Sequence, residues 1–168
     1  MVEKIVKMGE LANFHLGIAV RDLDDAMNKL AKTLGLKPWN IWTCGPGKSL
    51  NLRDITVHGK LTTQEQRIAQ TQIGKIGIEL LMPLRGRSVY EEHLERKGEG
   101  IHHISFTVPT LEELEQIIKE LTGRGAEIIQ SGKWETGRYY YLDIKTSGLI
   151  LEFNTGSLGK PERIFSGV

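Results

Sequence analysis

Short apolar strands and amphipathic helices follow one another in an order that the chain uses twice. Residues 14–20 (FHLGIAV) are apolar, partly β-branched and bounded by Arg21 and Asp22, the pattern of a buried strand. Asp22 then offers a helix N-cap, and Ala26, Leu30 and Leu34 recur every fourth residue until Gly35 stops the run. Strands are expected at 38–43, 67–73 and 76–82, the last ended by Pro83, and a short helix at 87–97 ahead of Gly98 and Gly100. The order then repeats. Residues 101–108 form a strand, Thr110 and Glu113 a capping box, and Leu111, Leu114, Ile118 and Leu121 one apolar helix face. Strands at 126–130, 138–144 and 148–154 complete the second half.

The expected fold is therefore α+β: two tandem βαβββ modules, residues 12–83 and 100–155, joined by the linker helix 87–97 and followed by a polar, solvated tail, 156–168. The first half carries about fifteen extra residues, counted between its marker histidine and glutamate (15 to 79, against 103 to 152). They fall near 44–66, where CGPGKS reads as a turn and DITVHGK as an added strand. GPGKS is no phosphate loop, because the position that needs the first glycine is Trp42.

Composition narrows the field. With 22 basic and 21 acidic side chains in 168 residues, no strong field favours nucleic acid or a membrane surface. The single cysteine, Cys44, leaves no internal disulfide and suits a reducing compartment, so a cytoplasmic location is expected. No apolar run approaches the ~20 residues that cross a bilayer.

The repeats carry the candidate chemistry. His15 opens the first strand of one half and His103 that of the other, at a constant offset of 88 residues, and Glu79 and Glu152 sit in matching late strands. Side chains alternate across a strand. His103, Ser105 and Thr107 therefore share one face, and His102, Ile104, Phe106 and Val108 the face that a helix must cover. His15 is set by the same parity against Leu16, Ile18 and Val20, Glu79 against Ile78 and Leu80, and Glu152 against Leu151 and Phe153. Carboxylates in the middle of such strands cost several kcal/mol to bury unpaired, and metal coordination removes that cost. Two histidines and two glutamates at matched positions thus read as one metal site. His93 reads as solvated, His58 has no repeat partner, and His102 reads as a residue that packs or supports the ligand beside it, so that His102→Ala should leave most of the metal binding. The aromatic residues Trp39, Trp42, Trp134 and Tyr139 to Tyr141 read as packing, and Arg53, Arg67 and Arg138 as ordinary surface.

FHLGIAV with its helix, IELLMPL, GEGIHHISFTV and GLILEF together resemble the vicinal oxygen chelate superfamily, which includes glyoxalase I, methylmalonyl-CoA epimerase, extradiol dioxygenases and the bleomycin and fosfomycin resistance proteins. The resemblance covers residues 14–154. It implies two βαβββ modules packed edge to edge into a cupped mixed sheet, with His15, Glu79, His103 and Glu152 as ligands of one divalent ion. The wording of IELLMPL and GEGIHHI most resembles methylmalonyl-CoA epimerase, whereas glutamate at position 79 resembles glyoxalase I.

Two imidazoles and two carboxylates suit Ni, Co, Mn, Fe(II) or Zn. Such a site serves an isomerase or lyase that abstracts an α-proton from a metal-chelated carbonyl, with Glu152 as first choice of base and Glu79 as its symmetric alternative. Gln70, Ser105 and Thr107 are the expected pocket residues. The expected partner is a small molecule, an acyl-CoA among the candidates, and a homodimer is allowed. The alternatives are an Fe(II) extradiol-type dioxygenase and a binding protein for an antibiotic or toxin.

Overall fold

The computed structural model describes residue 11, residues 14–146 and residues 148–167. The first module starts with β1 (Phe14–Ala19) and α1 (Leu23–Leu34), continues through β2 (Trp39–Gly45), β3 (Leu50–Asn51), β4 (Arg53–Val57) and β5 (Lys60–Thr62), and ends with β6 (Glu65–Ile73) and β7 (Ile76–Arg85). Helix α2 (Val89–Lys97) leads to β8 (Gly100–Thr107), α3 (Leu111–Gly123), β9 (Glu127–Lys133), β10 (Arg138–Asp143), β11 (Ile150–Thr155) and β12 (Arg163–Phe165).

All the described strands belong to one curled mixed sheet in the order β12-β2-β6-β7-β1-β8-β11-β10-β9-β4-β5, with β3 paired to β2. The pseudo-twofold lies between β1 and β8, which run antiparallel, while each of them runs parallel to the last strand of its own module, β7 or β11. Helices α1 and α3 start where the caps predict. Asp22 accepts from Asp25 N at 2.9 Å and Thr110 from Glu113 N at 3.2 Å, while Gly35 ends α1 in the left-handed conformation that a Cβ disfavours.

Parity sorts the side chains into three cores. Leu23 and Met27 of α1 pack on Ile78 and Leu80, and Leu114, Ile117 and Ile118 of α3 pack on Phe153 and Leu142. The opposite faces of the strands point into the curl, where Leu81, Ile68, Tyr139 and Tyr141 meet Val89 and Tyr90 of α2.

The extra segment does more than add a strand. Asn51 still pairs with Gly45 of β2, yet Arg53, two residues on, pairs with Lys133 of β9 at the far end of the sheet. The curl is thereby closed by covalent chain, with Leu52 at the seam. The β4–β5 hairpin turns at His58 and Gly59, both at positive φ (47° and 74°), as a two-residue turn requires. His58 Nε2 lies 2.9 Å from Glu92 of α2, which pins the hairpin to the helix.

Two local expectations are corrected. Strand β7 does not stop at Pro83 but runs to Arg85. Pro83 pairs with Gln66, and a register shift between Glu65 and Gln66 leaves Leu84 as an extra residue, so the proline stands next to a bulge. Nor is the C-terminal segment merely a solvated tail: Arg163–Phe165 pair with β2 as an edge strand, and Arg163 reaches Asp24 of α1 at 2.6 Å. No described helix is long and apolar enough to cross a membrane.

Candidate metal centre

β1 and β8 face each other so that Gly17 stands opposite His103 and His15 opposite Ser105; the parallel partners then place Glu79 beside Gly17 and Glu152 beside Ser105. The four residues thus arrive at one point from the two central strands and their parallel neighbours. His15 Nε2 lies 3.3 Å from Glu79 Oε2 and 3.5 Å from Glu152 Oε2, and His103 Nε2 lies 3.9 and 3.2 Å from the same two oxygens. One donor atom from each residue falls within 4.8 Å of every other.

These separations bring opposite charges together without aligned hydrogen bonds. Nε2 of both imidazoles and Oε2 of Glu152 are buried and have no hydrogen-bond partner. Buried polar atoms are normally satisfied, so orphans that converge on one point mark a place for something else. Bonds of about 2.1 Å around one ion would put its donors about 3 to 4 Å apart, and the four histidine–glutamate separations, 3.2 to 3.9 Å, lie in that range. The donor set, two nitrogens and two oxygens with two negative charges, fits a divalent ion.

The electrostatics agree. Burial disfavours charge on His15, but Glu79 and Glu152 override it and push its pKa up to about 10. Burial likewise opposes ionisation of Glu152, yet His103 and His15 hold its carboxyl well below the usual carboxylate range. Both shifts come from the same cause, two carboxylates and two imidazoles held together away from water.

The surrounding residues orient the donors. Gln70, opposite Glu79 across β6 and β7, donates from Nε2 to Glu79 Oε1 at 2.7 Å, leaving Oε2 for the centre. Asn154 Nδ2 donates to Ser105 Oγ at 2.9 Å, and Thr107 lines the cavity. Gly17 is required by contact: a Cβ there would stand 1.9 Å from His103 Cε1.

His102 does not lie with the helix-covering residues. After Gly17↔His103 the register jumps to Ile18↔Ile101, so His102 is the extra residue of a bulge and turns inward, edge-on to Tyr90 at 5.2 Å and Tyr141 at 5.6 Å. Its Nδ1 sits 2.9 Å from Nδ1 of His103. Were His103 Nε2 to hold an ion, His103 Nδ1 would carry the hydrogen and His102 would accept it. Burial, then His103 and His93, depress the His102 pKa well below the ordinary value, which keeps it a neutral acceptor. Such a contact fixes the tautomer of a metal-binding histidine. Contrary to the sequence-based expectation, His102→Phe should therefore weaken metal affinity by roughly 10–100-fold. His102→Asn, which keeps an acceptor, should recover part of it, as read by competition with a chelator. Unchanged affinity in His102→Phe would dismiss the contact. His93 is likewise half-buried rather than solvated, 5.3 Å from His102 between ring centroids.

The centre forms one wall of a cavity of about 590 Å³. Of the aromatic residues, Trp134, Tyr139 and Tyr141 line it, whereas Trp39 packs under α1 and Tyr140 bonds Glu115 outside. Cys44 also lines the cavity, but burial, with Glu79 nearby, pushes its thiol well up, so it is no thiolate nucleophile. Arg53, Arg67 and Arg138 are each engaged by an acid: Glu135, Asp24 and Glu115.

The comparisons place this geometry. Over 108 residues the chain is 32% identical to the uncharacterized protein YqjC of Bacillus subtilis (strain 168), a stretch that is 63% of this chain and 64%, under two thirds, of that relative. The solved structure of hypothetical protein BH1468 from Bacillus halodurans C-125 is 28% identical with a TM-score of 0.55, covering 88% of this chain and 94% of that one. A methylmalonyl-CoA epimerase in complex with methylmalonyl-CoA and NH4+ is 23% identical with a TM-score of 0.57, covering 90% and 99%, which shows a shared fold. The model of the Glyoxalase/Bleomycin resistance protein/Dioxygenase superfamily matches residues 14–141, three quarters of the chain and all four strands that carry the donors except β11. The chain belongs to that superfamily.

Proposed function

We propose that the protein is a metal-dependent isomerase, epimerase or lyase that removes the proton next to the carbonyl of a small substrate, with His15, Glu79, His103 and Glu152 as metal ligands and Glu152 as base. The observation that carries this reading is the convergence of four donor side chains beside a cavity large enough for substrate, three of them with a buried atom that has no hydrogen-bond partner. A divalent ion held there supplies Lewis-acid polarisation of a carbonyl, which acidifies the adjacent C–H.

The chain's own residues divide the remaining work. Glu79 is tethered through Oε1 by Gln70, whereas among the described residues no neutral side chain holds Glu152, so Glu152 is the carboxylate freer to turn towards a substrate. Glu79, its counterpart across the pseudo-twofold, is in this reading a second carboxylate to return a proton from another direction, as epimerisation requires. Tyr90 and Tyr141 are raised well above the ordinary phenol value by burial and stay neutral, so neither competes as base. His102 holds His103 in place through its ring nitrogen.

The reading is tested by loading the protein with Ni, Co, Mn, Fe(II) or Zn and assaying methylmalonyl-CoA, the hemithioacetal of methylglyoxal and a catechol. Turnover of a carbonyl substrate with solvent hydrogen entering at the α-carbon is expected. Turnover of catechol alone, with Fe(II), would replace it by the dioxygenase reading.

The pH dependence follows from His15. In the metal-free fold its pKa is about 10, against about 6.5 unfolded. Between these values the free site holds a proton that the ion must displace. Apparent metal affinity should rise roughly 10-fold per pH unit across that window. Because the folded pKa is the higher one, the stabilisation it gives the metal-free chain is full below about pH 6.5 and is lost towards pH 10. Thermal melts of metal-free protein should fall over that range, and those of loaded protein should not follow.

A further inference from the structure

The pseudo-twofold that makes the four donors equivalent is broken in the walls beside them. In register with Glu79 stands Gln70, and in register with Glu152 stands Tyr141. Two residues along each pair, Ile68 faces Leu81 on one side while Tyr139 faces Asn154 on the other. The first module's wall continues with Gln66, Gln72 and Asn40, whose amides line the cavity. The second module's wall is an unbroken aromatic row. His103 to Tyr141 is 4.8 Å between ring centroids, Tyr141 to Tyr139 5.5 Å, and Tyr139 to Trp134 6.4 Å with the last two rings stacked. The segment inserted in the first module adds Leu50 and Leu52 to the cavity lining, and the loop after β11 adds Leu158.

We propose that this aromatic and aliphatic wall is a binding subsite for a bulky apolar group, aryl or branched alkyl, of the substrate. It rests on the functional reading above only in that the group's attached carbonyl is held at the four donors. The substrate is then an amphipathic carbonyl compound, its hydrogen-bonding end against the amides of β2 and β6 and its apolar end over Tyr139 and Trp134. Residues 51–53 bound the subsite on one side, where the chain crosses from β2 to β9. The cavity volume of about 590 Å³ falls within the range of sites that take drug-sized ligands. The asymmetry also selects one orientation among two that the donors alone would permit.

Chelating probes separate the two claims. Acetohydroxamate and phenylacetohydroxamate present the same metal-binding oxygens and differ by an aromatic ring. Titrated into metal-loaded protein, the phenyl compound should bind roughly 30-fold more tightly, the effect of burying one ring. Leu52→Trp, which fills the subsite from the inserted segment, should erase the difference while leaving acetohydroxamate affinity and metal content unchanged. Leu158→Trp, from the half-buried loop, is the second variant should the first not fold. Equal binding of the two hydroxamates to wild type would overturn the subsite and leave the metal reading intact. If the chain takes up no metal, that reading fails instead, and benzyl alcohol with the metal-free protein decides the subsite. Saturation transfer to the ring with quenching of tryptophan fluorescence supports it, and neither signal refutes it.

Discussion

Purified His103→Ala should contain no stoichiometric divalent metal after loading under conditions that saturate the wild type, and His15→Ala should behave the same way. Each imidazole contributes one of two nitrogen donors, and its removal leaves Glu79 and Glu152 facing each other across a buried site with one histidine between them. Uncompensated buried charge is strongly destabilising, so both variants should also melt earlier than wild type. Gly17→Ala is the more discriminating companion. It deletes no donor, yet its Cβ would overlap the His103 ring, at 1.9 Å from Cε1 and 2.3 Å from Nε2. It should lose metal because the ring must move, while the outer cores under α1 and α3 stay intact. His58→Ala serves as the control, since its partner is Glu92 on α2 rather than any donor. Elemental analysis of the four variants checks the set. Wild-type metal content in His103→Ala would dismiss the proposed ligands.

The convergence of His15, Glu79, His103 and Glu152 was legible in the sequence because they lie on strands where alternation holds. Leu16 and Ile18 pack towards α1 and Leu151 and Phe153 towards α3, and the intervening His15, Glu79 and Glu152 point the other way. His102 was misplaced by the same rule because the rule counts residues. One bulge between Gly17 and Ile18 adds a residue on β8 and turns that side chain inward. Nothing in IHHIS announces the bulge. Gln70 was legible as a neighbour of Glu79, but its tether to Oε1 depends on the β6–β7 register that the hairpin sets.

The inserted segment divides along the same line. Its turn residues and alternation announced an extra strand, and β4 with β5 is the result. Its partner did not show, because β4 pairs with β9 roughly seventy-five residues away, and local pattern carries no information about such pairing. Strand β12 escaped notice for a related reason. Arg-Ile-Phe is too short for periodicity, and its place on β2 is fixed by Glu162 bonding Thr43 N and Ser49 Oγ at 3.0 Å and by Arg163 meeting Asp24. The aromatic row beside the centre was hidden by composition, since tyrosines on strands read equally as packing. Only the register that puts Tyr141 next to Glu152 and Tyr139 next to Asn154 turns them to the cavity.

Glu152→Gln should cost roughly 10²–10⁴-fold in proton exchange at the α-carbon, the usual range for loss of a positioned general base. The substitution keeps an oxygen facing His15 and His103, so the variant retains more metal than His103→Ala, and the comparison is made at equal metal occupancy. What it removes is the carboxylate whose Oε2 has no tether. Glu79→Gln should act differently. Glu79 Oε1 already accepts from Gln70 Nε2, so an amide there either turns its oxygen to Gln70 and presents nitrogen to the centre, or breaks that bond. Loss of metal affinity should therefore dominate in Glu79→Gln and loss of exchange in Glu152→Gln. The measurement is deuterium incorporation from solvent into whichever carbonyl substrate is turned over, normalised to bound metal. If loaded Glu152→Gln exchanges at the wild-type rate, the base is Glu79, and the tether from Gln70 must then be read as tuning that base rather than holding a ligand.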